Sequence, residues 1–563
     1  MKKLAIAAAI LVVVFGALII LSGVYADRIL DPFVRSALEQ NKPMNHRIEY
    51  KKLSINLFKG FIKIKDVKMI PVPELNKDEN IWMEMTVSTI RLTDFNIRKM
   101  LFDKALSIGD IDILQPEVIV HLPLNPPEEI IDSVQGDRAD RAKKQALKSI
   151  SLERILISGG SFKLVRNDVV LASSPAINFL TEDISIIKNN QDDPIGYTYG
   201  KMRLSLSDIS LYSESGMYDM SVDGFTANKS DSTIVLQGFR MIPKYDKKEF
   251  SGKLEFQSDR IDLFIDEVKL ARIGIEQLIA GGPLRISAIK LDSVNADIFR
   301  DKNLPVDINR FPLFYNESFL KLSLPIFLDT VMITNSKLLY NELSEGKTTA
   351  GEIILSDFNL STYALSNQVL DSTIVHEMRL FVNAKVMGEG PMNIELALPL
   401  EGNLRDFRCT GSVGAMQLFP VNGMLEPMLN MIFKGGKLNR MTFDFTANDN
   451  VSNGWMEFLY QDLDVVLLGK EPGKEKGFVS FMANTVTMSN NPAPGKDLKT
   501  VEIGTERDKN KGLIGYIWRT IQSGMVRTII PTNKYEIKSK PAETKVKKDN
   551  QKKKTKEKNK KAR

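Results

Sequence analysis

The residues with the most chemical potential in this 563-residue chain are three histidines, one cysteine and a few closely spaced carboxylates. His46, His121 and His376 stand far apart. His376-Glu377 opens the segment HEMRL, with no second histidine at the four-residue spacing a helical zinc site needs. Cys409 has no histidine near it in sequence to raise its nucleophilicity, which favours a buried structural thiol. Gly388-Glu389-Gly390 runs into Pro391 and so departs from a dinucleotide fingerprint, and neither a Walker loop nor a Gly-x-Ser-x-Gly elbow occurs. Asp110 and Asp112 alternate with isoleucines, which reads as the wet side of a strand. The expectation is a protein without catalytic residues, metal or cofactor, and not an enzyme.

Stepping from these residues to the elements around them, the first stretch is Leu4–Val24, LAIAAAILVVVFGALIILSGV, which carries no charge. At about 1.5 Å per residue it spans roughly 31 Å, the thickness of a bilayer core. Leu4, Ile10, Phe15, Ile20 and Val24 mark its course, and Lys2 and Lys3 precede it. Residues 1–26 are therefore expected to be a single-pass anchor with its N-terminus in the cytoplasm and the bulk of the chain beyond the membrane. A signal peptide cleaved after Ala26 is the competing reading. The apolar run exceeds the 7–15 residues of an ordinary signal core, which favours the anchor.

The body that follows, residues 27–505, is rich in strand signals. In YKKLSINLFKGFIKIKDVKM (50–69), Leu53, Ile55 and Leu57 alternate with polar residues, and Ile62 and Ile64 repeat the pattern after Gly60. That is a hairpin signature. Short helices are expected at 27–38, 97–105, 127–134, 140–149, 275–280 and 418–433. An internal repeat is visible. Ile108, Ile111, Ile113 and Val120 correspond to Ile286, Ile289, Leu291 and Ile298 at a separation of 178, and ILISGGSFKLV (155–165) corresponds to VMITNSKLLYN (331–341) at 176. Repeat units of about 86–190 and 264–365 and a further block of about 380–470 follow from this. A single cysteine excludes internal disulfides, so an exported body must be held by extended packing. Alternating strands give a sheet with one apolar face, to be covered by a second sheet or to line a groove. Pattern alone favours the closed sandwich. The candidate groove positions are Ile111, Ile113, Val118, Val120, Ile155, Ile157, Ile289, Leu291 and Ile333.

Towards the C-terminus, residues 511–531 read as an amphipathic helix with Ile514, Ile517, Trp518, Ile521, Met525 and Ile529 on one stripe and Pro531 ending it. It is expected either to lie in a membrane interface or to cap the open end of the β body. The net charge of +6 is misleading, because residues 534–563 hold 14 Lys/Arg against 4 Asp/Glu. This polybasic segment is expected to be disordered and to meet anionic lipid or another envelope polymer; the topology argues against nucleic acid.

Together, the N-terminal span with SINLFKGFIKIKDVKM, the unit IRLTDFNIRKMLFDKALSIGDIDILQPEVIVHLP, the repeated ILISGGSFKLV-type pair and GGKLNRMTFDFTANDNVSNGWMEFLYQDLDVVLL resemble the AsmA-like family of Gram-negative envelope proteins, with a more distant likeness to TamB. The likeness covers about residues 1–470 as patterns. It implies an inner-membrane anchor and a periplasmic β-groove with an apolar lining. It also implies a non-catalytic role in phospholipid movement towards the outer membrane, or alternatively in scaffolding outer-membrane assembly with an envelope protein partner. The shorter chain and the lysine tail depart from the bridge-length relatives. The expected fold is mostly β (α+β): an N-terminal transmembrane helix, then an elongated, curled antiparallel sheet with few short helices, internally duplicated.

Overall fold

The computed structural model describes residues 46–56, 60–71, 82–94, 96, 99–103, 105–122, 149–187, 196–198, 200–274, 282–368, 377–468 and 487–529. The expected anchor, the helices at 27–38, 127–134, 140–149 and 275–280, and the lysine-rich segment lie outside these residues. Strands dominate the rest. They are β1 (His46–Glu49), β2 (Lys52–Asn56), β3 (Phe61–Pro71), β4 (Trp82–Leu92), β5 (Ala105–His121), β6 (Ser149–Arg166), β7 (Val169–Ile187) and β8 (Gly196–Thr198). Then come β9 (Met202–Leu211), β10 (Tyr218–Asn228), β11 (Thr233–Pro243), β12 (Asp259–Ile273), β13 (Leu284–Asp301), β14 (Ile326–Leu343) and β15 (Gly351–Ser366). The last are β16 (Glu377–Val386), β17 (Gly390–Pro399), β18 (Phe407–Val413), β19 (Met416–Gln417), β20 (Met431–Ala447), β21 (Ser452–Leu467) and β22 (Thr500–Ile503). The described α-helices are α1 (Lys247–Gly252), α2 (Tyr315–Leu320), α3 (Asn422–Leu429) and α4 (Leu513–Ile529).

Two compact units divide the chain: Met1–Phe299 with Leu322–Leu338 and Asn359–Leu370, and Arg300–Lys321 with Leu339–Phe358 and Asp371–Arg563. In the first, the expected hairpin forms about Gly60, with Leu53 opposite Ile64 and Ile55 opposite Ile62. Pairing then runs β3–β4–β5–β6–β7–β9–β10–β11–β12. Every contact in this series is antiparallel except β5–β6, which is parallel. A long curled sheet stands where pattern alone favoured two stacked ones.

Curling has a local cause. Along β9, Leu206 and Ile209 are both buried while Ser207 and Asp208 between them are exposed. The side chains thus step in-out-out-in, and Asp208 takes a left-handed conformation with φ 53°. The same three-residue step falls at Val222–Phe225, Leu236–Phe239 and Ile265–Val268, so the unpaired positions Asp208, Asp223, Gly238 and Asp266 line up across four strands. Asp66 (φ 51°), Gln115 (φ 52°) and Gly159 (φ 64°) carry the row through β3, β5 and β6. Irregularities of this kind bend and twist a strand; aligned on neighbours they crease the sheet. A second crease passes through Asp94 (φ 55°) and Asp183 (φ 54°). A Cβ on Gly109 would come within 2.8 Å of Asp94 Cβ, and one on Gly200 within 2.9 Å of Asp183 Oδ2, so each aspartate lies over a glycine of the neighbouring segment. Left-handed residues also sit at Arg272, Ser293 and Asn335, which are 178, 178 and 176 positions beyond Asp94, Gln115 and Gly159. Those are the separations seen in the sequence repeat.

Two expected helices have tighter bounds. Among the described residues of 97–105, Lys99–Asp103 form a five-residue π-helical turn, and the long strand β5 claims the chain from Ala105. Over 418–433 a 3₁₀ turn (Phe419–Val421) leads into α3, which ends at Asn430 in a left-handed cap (φ 49°) as β20 begins at Met431.

Polar groups hold the crease on β13 and β14. Asp292 accepts hydrogen bonds from Thr334 Oγ1 and from Asn335 Nδ2 (3.0 Å), with Lys290 Nζ at 3.1 Å. Led by the Thr334 bond and then Lys290, these contacts lower its carboxyl from 3.8 to about 2. A folded-state value below the unfolded one stabilises above about pH 4, and the gain is lost as pH falls through about 2. Asp292→Asn should therefore flatten the acid limb of the stability curve between those values, measured by denaturant unfolding at stepped pH. At Gly238 (φ 65°) a Cβ would collide with the Asp223 carboxylate. Gly238→Val should cost about 2 kcal/mol in the same assay, since a β-branched residue is strained there.

Candidate apolar groove

Between the two creases of the first unit lies a narrow facet, and its inward side is apolar on strand after strand. One continuous rung follows the register Leu53–Ile64–Ile90–Ile113–Ile157–Phe179–Leu204–Ala227–Ile234–Leu270, from β2 to β12. A parallel rung joins Ile62, Leu92, Ile111, Ile155, Thr181 and Met202. Strands stand 4.7–4.9 Å apart, so nine steps give a floor of about 43 Å along the sheet.

Exposure along the first rung varies. Leu53 is 43% exposed, Ile64, Ile90, Ile113, Ile157, Phe179, Leu204, Ala227 and Leu270 are half-buried, and Ile234 is 2% exposed. At the first crease and beyond it, towards the other end of β10–β12, the same face is filled by the protein's own side chains. Phe225, Phe239, Met241 and Leu263 pack with Phe250 of α1, whose ring meets Tyr218 edge-on at 5.6 Å. Asp246 caps that helix by accepting the amide of Glu249 at 2.8 Å, which fixes Phe250 in place.

Of the nine positions expected to line a groove, Ile111, Ile113, Ile155 and Ile157 fall on these rungs and are half-buried. Val118, Ile289, Leu291 and Ile333 pack as half-buried residues against the core, and Val120 is fully within it at 1% exposure. On β9 and β10 the opposite side is polar: Asp219, Ser221, Asp223 and Thr226 on β10, and Arg203, Ser205, Ser207 and Ser210 on β9, alternate with the apolar set. On β5–β7 that side mixes Asp110, Asp112 and Arg154 with Leu114, Leu156 and Leu180. Asp110 and Asp112, expected merely to face solvent, are engaged. Arg154 Nε and Nη2 bond Asp110 at 3.1 and 2.9 Å, and Arg154 Nη2 lies 3.5 Å from Asp112.

The second unit contrasts with this. Its rung Leu396–Cys409–Phe445–Gly454–Ile503 runs through β17, β18, β20, β21 and β22. All its large members are at most 4% exposed; α4 packs on β21 and β22, and its Tyr516 meets Phe407 of β18 edge-on at 5.8 Å. Leu513, Tyr516, Ile517, Thr520, Ile521, Gly524, Thr528 and Ile529 form the covered side of α4. Of the expected stripe, Ile517, Ile521 and Ile529 are buried, Met525 is half-buried, and Ile514 (61%) and Trp518 (36%) face outward. The helix packs its buried side against β21 and β22. Among the described residues no helix is long and apolar enough to cross a membrane.

The residues that opened the chemical reading are dispersed. His121 stacks on Trp82 with ring centroids 3.6 Å apart, His46 lies in β1, and His376 falls outside the described residues. Among the described residues no group of three or more His, Cys, Asp or Glu could hold a metal. Sequence reasoning missed Arg507. Its side chain is 1% exposed, and it sits 4.4 Å from the Phe314 ring centroid and 5.9 Å from that of Tyr516, with Asp449 at 3.3 Å. No local pattern in the sequence signals this, because Phe314 lies 193 positions and Asp449 58 positions before Arg507. Comparison of the chain with protein-family models and with curated proteins gives no match.

Burial and, secondarily, Asp444 push the Cys409 thiol up to about 12. With 0% exposure it should resist maleimide in the folded protein and react fully in denaturant; prompt native labelling, read by mass shift, would contradict this packing.

Proposed function

We propose that this protein is a non-enzymatic lipid handler of the AsmA-like kind. In this reading an N-terminal span anchors it to the inner membrane, and the half-exposed rungs of the first unit shield the acyl chains of phospholipid in the periplasm, in support of outer-membrane lipid homeostasis. The observation that carries the reading is the continuous apolar floor centred on Ile90, Ile113, Ile157 and Phe179. These side chains are arranged for contact yet incompletely covered by the chain itself. Large apolar surface left half-open in a soluble body needs an apolar partner. An acyl chain gains about 0.8 kcal/mol per buried CH₂ there, which offsets the cost of leaving a bilayer. The creases supply the curvature, and the polar residues of the reverse face keep the sheet soluble.

A second reading, a non-transporting scaffold in outer-membrane biogenesis with an envelope protein partner, draws on the second unit, where α4 covers the apolar face of β21 and β22. Native mass spectrometry of the gently extracted full-length chain separates the two. Lipid adducts are expected on the native protein and should fall at least about tenfold in Ile113→Asp/Ile157→Asp. A lipid-free native protein with unchanged envelope defects in the double variant would favour the scaffold.

A further inference from the structure

In the second unit, a patch unrelated to the groove combines exposed apolar side chains with a basic rim. The segment between β13 and α2 presents Ile308 at 73% exposure and Phe311 at 58%, and the first turns of α4 present Ile514 and Trp518. The two pieces are joined. Asn510 Nδ2 donates to the carbonyls of Ile308 (2.8 Å), Arg310 (3.1 Å) and Asp307 (3.5 Å). The Arg310 amide closes a turn on Asp307 O at 3.2 Å. The far end of the segment is pinned by Phe314, which is 0% exposed beneath Arg507, and the Phe314 amide donates to Glu317 Oε2 at 2.7 Å. A loop held at both ends keeps its isoleucine and phenylalanine in water, where isolated burial would be expected.

Cations surround it. Arg310 is exposed, and Lys509, Lys511 and Arg519 keep 48%, 33% and 40% of their side chains accessible. Asp508 is shared by Lys511 (3.5 Å) and Arg519 (3.6 Å), and Asp449 is shared by Lys509 (3.1 Å), Arg405 and Arg507. Arg405 is also paired with Glu317, so the accessible rim has four cations, Arg310, Lys509, Lys511 and Arg519, against three carboxylates, Asp307, Asp449 and Asp508. Burial, and then the charge of Arg519, hold Lys511 below the ordinary lysine value although Asp508 opposes this.

We propose that Ile308, Phe311, Ile514 and Trp518, rimmed by Arg310, Lys509, Lys511 and Arg519, form a docking surface for a bilayer bearing anionic headgroups. Aliphatic and aromatic side chains beside a tryptophan, ringed by Lys/Arg, match an interface whose interior is apolar and whose surface is negative. The charge excludes the chain's own lysine-rich C-terminus as the occupant. The surface does not depend on the groove reading, and lipid-free rungs in the first unit would leave it standing.

The test uses the full-length chain in nanodiscs of phosphatidylcholine, with an environment-sensitive fluorophore on Ile514→Cys; Cys409 is buried and stays unlabelled. Vesicles of phosphatidylethanolamine and phosphatidylglycerol should brighten and blue-shift the probe at lipid concentrations at least about tenfold lower than phosphatidylcholine vesicles require. The response should be lost in Ile308→Ser/Phe311→Ser and weakened in Arg310→Glu/Lys509→Glu, with circular dichroism unchanged. The same fluorophore on Phe419→Cys, another exposed position of this unit, should stay silent. The proposal is overturned by a silent probe at 514, as a protein-binding patch would give. It is equally overturned by equal responses to both vesicle types, or by a response at 419 matching that at 514, as capture through the lysine-rich segment alone would give.

Discussion

Everything in the first unit depends on cross-strand register. Backbone pairing across a sheet fixes which residues stand side by side, and side-chain alternation fixes which face they occupy. A slip of one residue on any of ten strands would carry that strand's isoleucines to the opposite side and break the floor. The creases satisfy this constraint while bending the sheet. Each strand takes one additional outward residue at the same row, so the inward set resumes in phase on both flanks. Aspartate, asparagine and glycine recur at the left-handed positions because they enter that conformation at low cost.

Much of this was legible in the chain. Alternation located the hairpin about Gly60, and the spacing Ile108, Ile111, Ile113 already contains the three-residue step, although taken alone it resembles a helical interval. Reading that interval as a break within a strand required knowing that Asp94 and Gly109 meet across the sheet. Of the helices expected at 97–105 and 418–433, the described residues keep a π-helical turn at Lys99–Asp103 and helix from Phe419 to Leu429, and each gives way to strand where β5 and β20 begin. The helical stripe at 511–531 was correct in kind but rotated, because Thr520, Gly524 and Thr528 line the covered side. Small residues there permit close approach: Gly524 lies directly against Ile503 and Met456. Hydrophobicity alone cannot reveal a face chosen for closeness.

The second unit solves the same problem of an apolar sheet face by different means. Its rung is covered, and its loops are organised about Arg507, a cation withdrawn from water and held between two aromatic faces with Asp449 as counter-charge. Removing an ion from solvent is costly unless its surroundings restore the interaction. The Phe314 and Tyr516 rings and the shared carboxylate offset part of that cost, while burial still holds Arg507 below the ordinary arginine value; Arg405 links the carboxylate to Glu317 at 3.0 Å. Such an arrangement tolerates little displacement, which suits a unit that presents fixed surfaces.

The creases also bear on how such a chain can change over generations. On a flat strand the loss of a single codon turns every later side chain over, and selection would remove it. Loss of Asp208, one of two consecutive outward residues, would leave Leu206 and the following isoleucine on the same side. A one-residue loss at such a seam therefore disturbs the inward pattern of that strand less than a loss within a facet. The rows of left-handed residues are in this sense reading-frame buffers written into the fold.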